Sequence, residues 1–282
     1  MLGRAIDYLI DYKDRQRVAI ALAKGGASML SRQVDLRDPA TWEFSGFSQN
    51  GEDGIIDVLR RQLTSANRCV VEIGAADGTE NNSSWLLTTA GYEGLMIEGD
   101  PRQSARARRN VARYSIGSQC VPMFVTLESV DAILAKAPHR DPDVFSLDID
   151  GNDYHIANAL FDRGFRPKIV SVEYNSAFGP ERSVASKYAA DFRRATAHPS
   201  LLYYGVSVGG WKTFFARRDY RFITVDANGV NAFFVDPAHF DAGFVDGVRG
   251  LAFAENRYQL RAQGRDHAGQ FALIADQSLE QV

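Results

Sequence analysis

Three carboxylates stand close together in the stretch FSLDIDGNDYH, residues 145–155. Asp148, Asp150 and Asp153 directly follow an apolar run that is typical of a buried strand. Asp148 and Asp150 are two positions apart, so in an extended chain their side chains lie on the same side. Crowded carboxylates repel one another, and burying them is unfavourable unless something pairs with them. The stretch therefore predicts a site that binds a cation or takes up a proton.

Three interpretations of this cluster are open. In the first, Asp150 binds Mg²⁺ together with Glu173 and Asn175 at the end of the next predicted strand, with Asp153 as a further oxygen ligand. Such an ion would hold two hydroxyls of a substrate and lower the pKa of one of them. In the second, one carboxylate, or His155 in the following helix, is a general base. In the third, the carboxylates only cap the loop and the helix.

A second group of residues follows an earlier predicted strand, in VEIGAADGTENNSS, residues 71–84. Gly74 and Gly78 place small residues in a turn between a strand and a helix, where a ligand can approach backbone N–H groups. Their spacing departs from the Gly-x-Gly-x-x-Gly of dinucleotide-binding enzymes, which argues against NAD. Glu98 ends the next strand and can accept both hydroxyls of a ribose, or else cap the next helix together with Asp100.

The elements that must position these residues alternate between strands and helices. Strand-like runs begin near residues 68, 93, 118, 143 and 167, and helical patterns separate them. This alternation predicts an α/β fold with a mostly parallel sheet and helices on both faces. Asn228 and Gly229 predict a final antiparallel hairpin between residues 220–226 and 230–235.

Composition bounds the class of protein. The 282 residues carry a formal net charge of −3, which argues against a general nucleic-acid binder. No apolar run reaches the roughly 18 to 20 residues of a membrane-spanning helix, and the charged N-terminus does not resemble a signal peptide. Cys69 and Cys120 lie in strand-like runs and are expected to be buried thiols in a reducing compartment. We therefore expect a cytoplasmic protein without membrane insertion.

Several motifs together resemble the FkbM-like family of class I S-adenosylmethionine-dependent methyltransferases. The resemblance covers about residues 44–240 and is carried by FSQNGEDGI, VEIGAADGTENNSSWLL, GLMIEGDP, SLDIDGNDY, VSVEYN, YYGVSVGGWKTFF and GVNAFFVD. It implies a Rossmann-like fold and methyl transfer to a hydroxyl of a sugar, a polysaccharide or a related natural product. The domain prediction is an N-terminal helical extension (1–43), a methyltransferase domain (44–243) and a C-terminal helical extension (244–282).

The resemblance also implies a set of residues that bind S-adenosylmethionine. Glu98 is expected at the ribose, and Ser83 with Asn82 at the cofactor's carboxylate. The residues expected to line the remainder of the cofactor are Gln49, Asn50, Glu72, Gly74, Ala76, Asp77 and Gly78.

The predicted function is that of an O-methyltransferase, with a carbohydrate or a glycosylated small molecule as the acceptor. Tyr174, Ser207 and Trp211 can line an acceptor pocket, or they can belong to the core. Two other functions are considered, a non-catalytic nucleotide- or sugar-binding module and an NAD-dependent sugar-modifying enzyme. The N-terminal helix can pack on the main domain or on a second subunit, so the sequence leaves self-association open.

Overall fold

The computed structural model describes residues 2–111 and 114–282. Its strands are, in chain order, β1 (Cys69–Ile73), β2 (Glu93–Glu98), β3 (Gln119–Pro122), β4 (Val144–Leu147), β5 (Ile169–Glu173), β6 (Val184–Ser186), β7 (Arg221–Val225), β8 (Asn231–Val235) and β9 (Leu279–Gln281). Strands β1, β4, β5 and β8 consist of buried residues throughout. Runs of this kind are typical of strands that are covered on both faces of a sheet.

Helices cover the sheet on both sides. They are α1 (Leu2–Ser31), α2 (Glu52–Arg61), α3 (Ser84–Thr89), α4 (Pro101–Val111), α5 (Val130–Lys136), α6 (Asp153–Asp162), α7 (Arg194–Ala197), α8 (Val208–Ala216), α9 (Ala242–Gly247), α10 (Arg257–Gln263) and α11 (His267–Phe271). Short 3-10 turns occupy Pro39–Thr41, Leu127–Ser129, Ser176–Phe178 and Pro237–His239. None of the helices among the described residues is long and apolar enough to cross a membrane.

The main sheet has seven strands in the order β3-β2-β1-β4-β5-β8-β7. The neighbours from β3 to β5 pair in parallel, and β8 runs antiparallel to both β5 and β7. This confirms the predicted Rossmann-like sheet with its C-terminal antiparallel hairpin, which is the strand arrangement of class I methyltransferases. The strand order reverses between β1 and β4, and ligands of such sheets bind beyond the strand ends at this switch.

The two ends of the chain pack on elements outside the main sheet. Helix α1 contributes Val18 and Ala21 to a small apolar cluster with Phe44, Phe47 and Trp85. The segment after residue 243 is not only helical, because β9 pairs antiparallel with β6 in a separate two-stranded sheet. The proposed domain limits at residues 43 and 243 stay predictions.

Helix α2 begins at a glycine. Its N-cap is Gly51 in a left-handed conformation, and no side chain caps it. Asp53 lies inside the helix and accepts hydrogen bonds from the backbone N–H groups of Gly46, Phe47 and Ser48. It therefore holds the loop before α2, and burial raises its pKa to about 7.

Candidate functional site

The backbone after β1 and the backbone after β4 lie so close together that no side chain fits between them at Gly74. Gly74 follows β1 with φ +92°, and a Cβ atom at this position would lie 1.6 Å from the carbonyl oxygen of Asp148. Asp148 in turn donates its backbone N–H to the carbonyl oxygen of Ile73, at 3.0 Å. Glycine is required here for two reasons, the left-handed φ and the approach of the second backbone.

The loop between β1 and α3 is held by Glu72. Its carboxylate accepts hydrogen bonds from the Asn81 side chain (2.7 Å), from the Asn82 and Ser83 backbone N–H groups (2.8 and 3.1 Å) and from the Ser83 hydroxyl (2.5 Å). Burial raises the pKa of Glu72, and these hydrogen bonds oppose the rise. Glu72 and Ser83 were predicted to contact a ligand. The hydrogen bonds of both side chains are made within the loop, and Glu72 also lines a small polar cavity beside it.

A cavity of about 380 Å³ opens at the switch between β1 and β4. Six of the predicted site residues line it: Gln49, Gly74, Ala76, Glu98, Asp148 and Asp150. Its apolar wall comes from Ile97, Met123, Phe124 and Val125, and Phe192 stands near Asp150. Its volume lies in the range of small-molecule sites, and the mixture of an apolar wall with a few polar groups is typical of them.

Glu98 is fixed at the rim of this cavity. One carboxylate oxygen accepts the backbone N–H of Ala76 at 2.9 Å, and the other accepts the backbone N–H of Asp100 at 2.8 Å. Each carboxylate oxygen can accept a second hydrogen bond, so the group can also receive the two hydroxyls of a ribose. The sequence had left open whether Glu98 binds a ligand or caps α4. The cap is Asp100, which accepts the backbone N–H of Arg102 at 2.7 Å, so Glu98 keeps acceptor capacity for a ligand.

Asp77 and Gly78 do not line the cavity. Asp77 accepts from Arg17 of α1 at 3.1 Å and forms an ion pair with Arg106 of α4 at 2.8 Å. Gly78 faces α4, where an added Cβ would meet Ala107 at 3.2 Å. Their predicted contact with a cofactor does not fit this position, because both face the helices behind the loop.

Helix α1 also reaches the mouth of the cavity. Arg17 forms an ion pair with Glu80, and Glu80 accepts a hydrogen bond from the Gln49 side chain at 2.9 Å. Arg106 is paired with Asp14 of α1 at 2.7 Å. No motif marked Arg17 or Arg106 in the sequence, because their partners lie tens of residues away.

A smaller polar cavity of about 90 Å³ adjoins the first and shares Gln49, Gly74 and Asp148 with it. Among its lining residues, the side-chain oxygens of Asn81 and Asn231 are buried and have no hydrogen-bond partner. The predicted site residue Asn50 also lines it, and donates to Glu52 at 2.8 Å. This cavity therefore offers acceptors to a ligand that carries N–H or O–H groups.

The acidic residues meet at the end of β4 and β5. Asp148, Asp150 and Glu173 each bring one carboxylate oxygen within 4.8 Å of the others. The Oε2 atom of Glu173 is buried without a hydrogen-bond partner. Burial, followed by the charges of Asp150 and Asp153, raises the pKa of Asp148 to about 8. Burial, followed by the charge of Asp148, raises the pKa of Glu173 well above its usual value.

Asp150 has a cationic partner that the sequence did not reveal. Arg194 donates to its carboxylate at 2.5 Å, and the guanidinium lies 3.9 Å from the ring centre of Tyr204. Asp150 itself has φ +54°, so the chain turns sharply at this residue. Arg194 lies in the short helix α7, where no pattern distinguished it from a surface arginine.

Two further predicted residues, Asp153 and His155, make their contacts outside this cluster of oxygens. Asp153 accepts the backbone N–H groups of Ile149 and Gly151, both at 2.9 Å, and so holds the loop before α6. The ring of His155 is 3.0 Å from the carbonyl oxygen of Ser186 in β6.

Asn175 is completely engaged in the core. It donates to the carbonyl oxygens of Leu202 and Tyr204, and its own side-chain oxygen accepts from Ala177. A metal-binding role for Asn175 does not fit these contacts, because its oxygen faces the turn that follows β5.

The predicted acceptor-pocket residues belong to the core. Tyr174 donates to the carbonyl oxygen of Ala254 at 2.6 Å, and the Trp211 ring N–H donates to that of Glu173 at 2.7 Å. Ser207 caps α8 by accepting from Gly210. All three predicted side chains are buried, which settles the alternative in favour of the core.

No protein-family model matches this chain, and no curated protein matches it. The chain is similar to the solved structure of an O-methyltransferase from Bacillus cereus in complex with SAH (15% identity, 78% of this chain and 89% of that chain, TM-score 0.45). It is also similar to the O-methyltransferase TomG from Streptomyces achromogenes, involved in tomaymycin synthesis, in complex with SAM (17% identity, 75% and 93%, TM-score 0.45). The fold is assigned from the strand order described above.

The closeness of the two strand ends predicts a sharp difference between two glycine substitutions. We expect Gly74→Ala to prevent folding or to displace the end of β4, because the new Cβ would overlap the carbonyl group of Asp148. Gly164→Ala is the matched control, since Gly164 also has a positive φ (+80°) but nothing within 4 Å. It should destabilise by only about 1–2 kcal/mol, the cost of a left-handed conformation for alanine. Thermal melting of both variants tests this, and equal losses would contradict it.

The raised pKa of the half-buried Asp148, which lies beside the buried Glu173, predicts a pH-dependent effect on stability. A carboxyl group with a raised pKa in the folded chain binds more protons when folded, so the free energy of unfolding falls as pH rises from about 4 to about 8. Asp148→Asn removes this penalty. We expect the Tm of the metal-free variant to exceed that of the parent by about 2–4 °C at pH 8.5, the effect of ~1 kcal/mol, and by less at pH 5.

The exposed Asp191 provides the control for this measurement. Asp191→Asn changes the net charge equally. Its Tm should differ from that of the parent by the same amount at pH 8.5 and at pH 5. A Tm of Asp148→Asn that lies below the parent's at pH 8.5 would contradict the raised pKa.

Proposed function

We propose that this protein is an S-adenosylmethionine-dependent O-methyltransferase that acts on a hydroxyl of a carbohydrate or of a glycosylated small molecule. The observation that carries this proposal is the arrangement around the cavity between β1 and β4. The turn at Gly74, the fixed carboxylate of Glu98 and the Asp148 side chain all line it, and an oxygen of Glu173 lies within 4.8 Å of Asp148.

The cavity fits the parts of S-adenosylmethionine. Glu98 would receive the ribose hydroxyls, and the apolar wall that includes Ile97 and Val125 would cover the adenine. The side-chain oxygens of Asn81 and Asn231 in the adjoining polar cavity would accept hydrogen bonds from the amino group of the cofactor's methionine part. The cofactor, when bound, supplies an electrophilic methyl group on a sulfonium centre.

The residues of this chain would then align the acceptor and remove its proton. Asp148 lines the cavity directly beside Gly74, so its carboxylate can receive a hydroxyl that points toward the methyl group. Glu173 lies behind it and can share the proton. Holding the acceptor oxygen in line with the methyl group is the larger part of the catalytic effect that we infer. Phe124 and Phe192 offer aromatic faces on which a sugar ring can stack.

A divalent cation such as Mg²⁺ can assist this site. Asp148, Asp150 and Glu173 would hold it, since their oxygens lie within 4.8 Å of one another and Glu173 has a free buried oxygen. Carboxylates are the ligands that Mg²⁺ prefers. The ion pair between Arg194 and Asp150 favours a second, metal-free version, in which the guanidinium neutralises part of the cluster and Asp148 acts alone as the base.

The reaction fits a cytoplasmic setting. Cys69 and Cys120 are both free thiols, as is usual for proteins of a reducing compartment.

Binding of S-adenosylhomocysteine tests the cofactor proposal. We expect calorimetry to give micromolar affinity for the parent and a loss of about tenfold or more for Glu98→Ala, because two hydrogen bonds to a carboxylate disappear. Glu98→Gln should fall between them. Glu93→Ala, an exposed acidic residue at the other end of β2, should bind like the parent. Absence of binding below the millimolar range in a folded parent would overturn the proposed function.

Binding of Mn²⁺ as a probe separates the two versions of the acidic site. With a metal site, calorimetry or electron paramagnetic resonance should detect one bound ion in the parent, and Glu173→Gln should weaken it about tenfold or more. Asp191→Asn should have no effect, because this residue lies outside the cluster of oxygens. A parent that binds no Mn²⁺ would leave the metal-free carboxylate base as the mechanism.

A further inference from the structure

A second open cavity of about 420 Å³ lies beside the mouth of the cofactor cavity and shares Gln49 and Glu80 with it. Helix α1 forms one side of it with Ile20 and Lys24, and Tyr258 of α10 stands on its rim. Ile20 and Tyr258 are 65% and 63% exposed, so both offer apolar surface to a molecule in this cavity. A molecule in this groove would have one end at Gln49.

A third, small cavity of about 130 Å³ adjoins the groove, because Tyr258 lines both. Its other lining residues are Asn228, from the turn between β7 and β8, and Arg257 and Arg261 of α10. The two arginines are four positions apart on one helix, so they lie on the same face. We refer to the four lining residues as the arginine pocket.

The two arginine side chains of the arginine pocket are not directly paired with carboxylates among the residues that the structure describes. Neither guanidinium of Arg257 and Arg261 makes a hydrogen bond or an ion pair within the described ranges 2–111 and 114–282, and the same is true of the Lys24 ammonium in the groove. By contrast, Arg17 and Arg106, which lie beside the loop between β1 and α3, are both paired with the carboxylate of Asp77.

The acidic residues closest to the pocket are engaged with backbone groups. Glu43 accepts the backbone N–H of Ala227 at 2.8 Å and feels the charge of Arg257 without forming an ion pair with it. Asp226 accepts the backbone N–H of Asn228 at 2.8 Å. An external anion can therefore bind to the two guanidinium groups without displacing an internal salt bridge.

Phosphate is the anion that fits this chemistry best. Guanidinium groups bind phosphate through two parallel hydrogen bonds, and two arginines on one helix face can hold it from one side. The exposed ring of Tyr258 offers a stacking surface for a sugar or a base next to the phosphate. The Asn228 side chain donates to Asn50 at 3.2 Å, which connects the pocket to the polar cavity beside the cofactor site.

We propose that the methyl acceptor carries a phosphate group, and that Arg257 and Arg261 of the arginine pocket bind it. The rest of the acceptor lies in the groove between Tyr258 and Lys24 and reaches the cofactor cavity past Gln49. This assignment rests on the proposed function, which it narrows to phosphorylated carbohydrate acceptors.

Calorimetric titrations with glucose, glucose 1-phosphate and inorganic phosphate test the assignment on the full-length protein. We expect glucose 1-phosphate to bind at least about tenfold more tightly than either glucose or phosphate. Arg257→Ala and Arg261→Ala should each remove about tenfold of that affinity, while S-adenosylhomocysteine binds to them as to the parent. Arg265→Ala is the control. It removes an exposed arginine four residues further along the chain, after the end of α10, and should bind like the parent.

Several outcomes would overturn the assignment. Equal binding of glucose and glucose 1-phosphate shows that the pocket does not recognise phosphate. An equal loss in Arg265→Ala indicates general attraction of anions instead of a pocket. Phosphate that binds as tightly as glucose 1-phosphate indicates a site for the free ion, not for an acceptor. Failure of the parent to bind S-adenosylhomocysteine overturns the proposed function, whereas the phosphate titrations decide the anion site separately.

Discussion

The contact between the Gly74 backbone and the carbonyl group of Asp148 is the constraint on which the site depends. It brings the ends of two parallel strands together at the place where the strand order reverses. Because no side chain separates these ends, the loop after β1 and the carboxylate after β4 face the same cavity. A larger separation would fill the switch point with side chains, and the carboxylate would no longer stand beside the loop.

The buried carboxylates of this protein fall into two groups. Asp53 and Glu72 accept several hydrogen bonds from backbone N–H groups, and each organises one loop. Such bonds favour the charged form and offset the unfavourable burial. Asp148 and Glu173 lie with Asp150 in one cluster of oxygens, and one Glu173 oxygen has no hydrogen-bond partner. This difference in hydrogen bonding separates the acids that stabilise the fold from the acids that are available for chemistry.

Much of the fold could be predicted because it depends on local patterns. Alternating strand and helix segments indicated the parallel sheet, and Asn228 with Gly229 indicated the hairpin. The pairing of β6 with β9 could not be predicted, since both strands have three residues and lie far apart in sequence. Spacing also could not distinguish Asp148, which faces the cavity, from Asp153, whose oxygens turn back to the backbone.

Helix α1 lies before the predicted domain boundary at residue 43, but its ion pairs and packing contacts join it to residues after that boundary. Asp14 and Arg17 of α1 pair with residues of α4 and of the loop before α3, and its Gly25 lies directly against the Trp85 ring. The side chain of Asp77 is only 8% exposed, so removing Arg17 takes away half of the positive charge that compensates its burial. The smallest transplantable unit of this architecture therefore includes the first helix. A chimeric protein that contains the loop between β1 and α3 would therefore need α1 from the same parent protein.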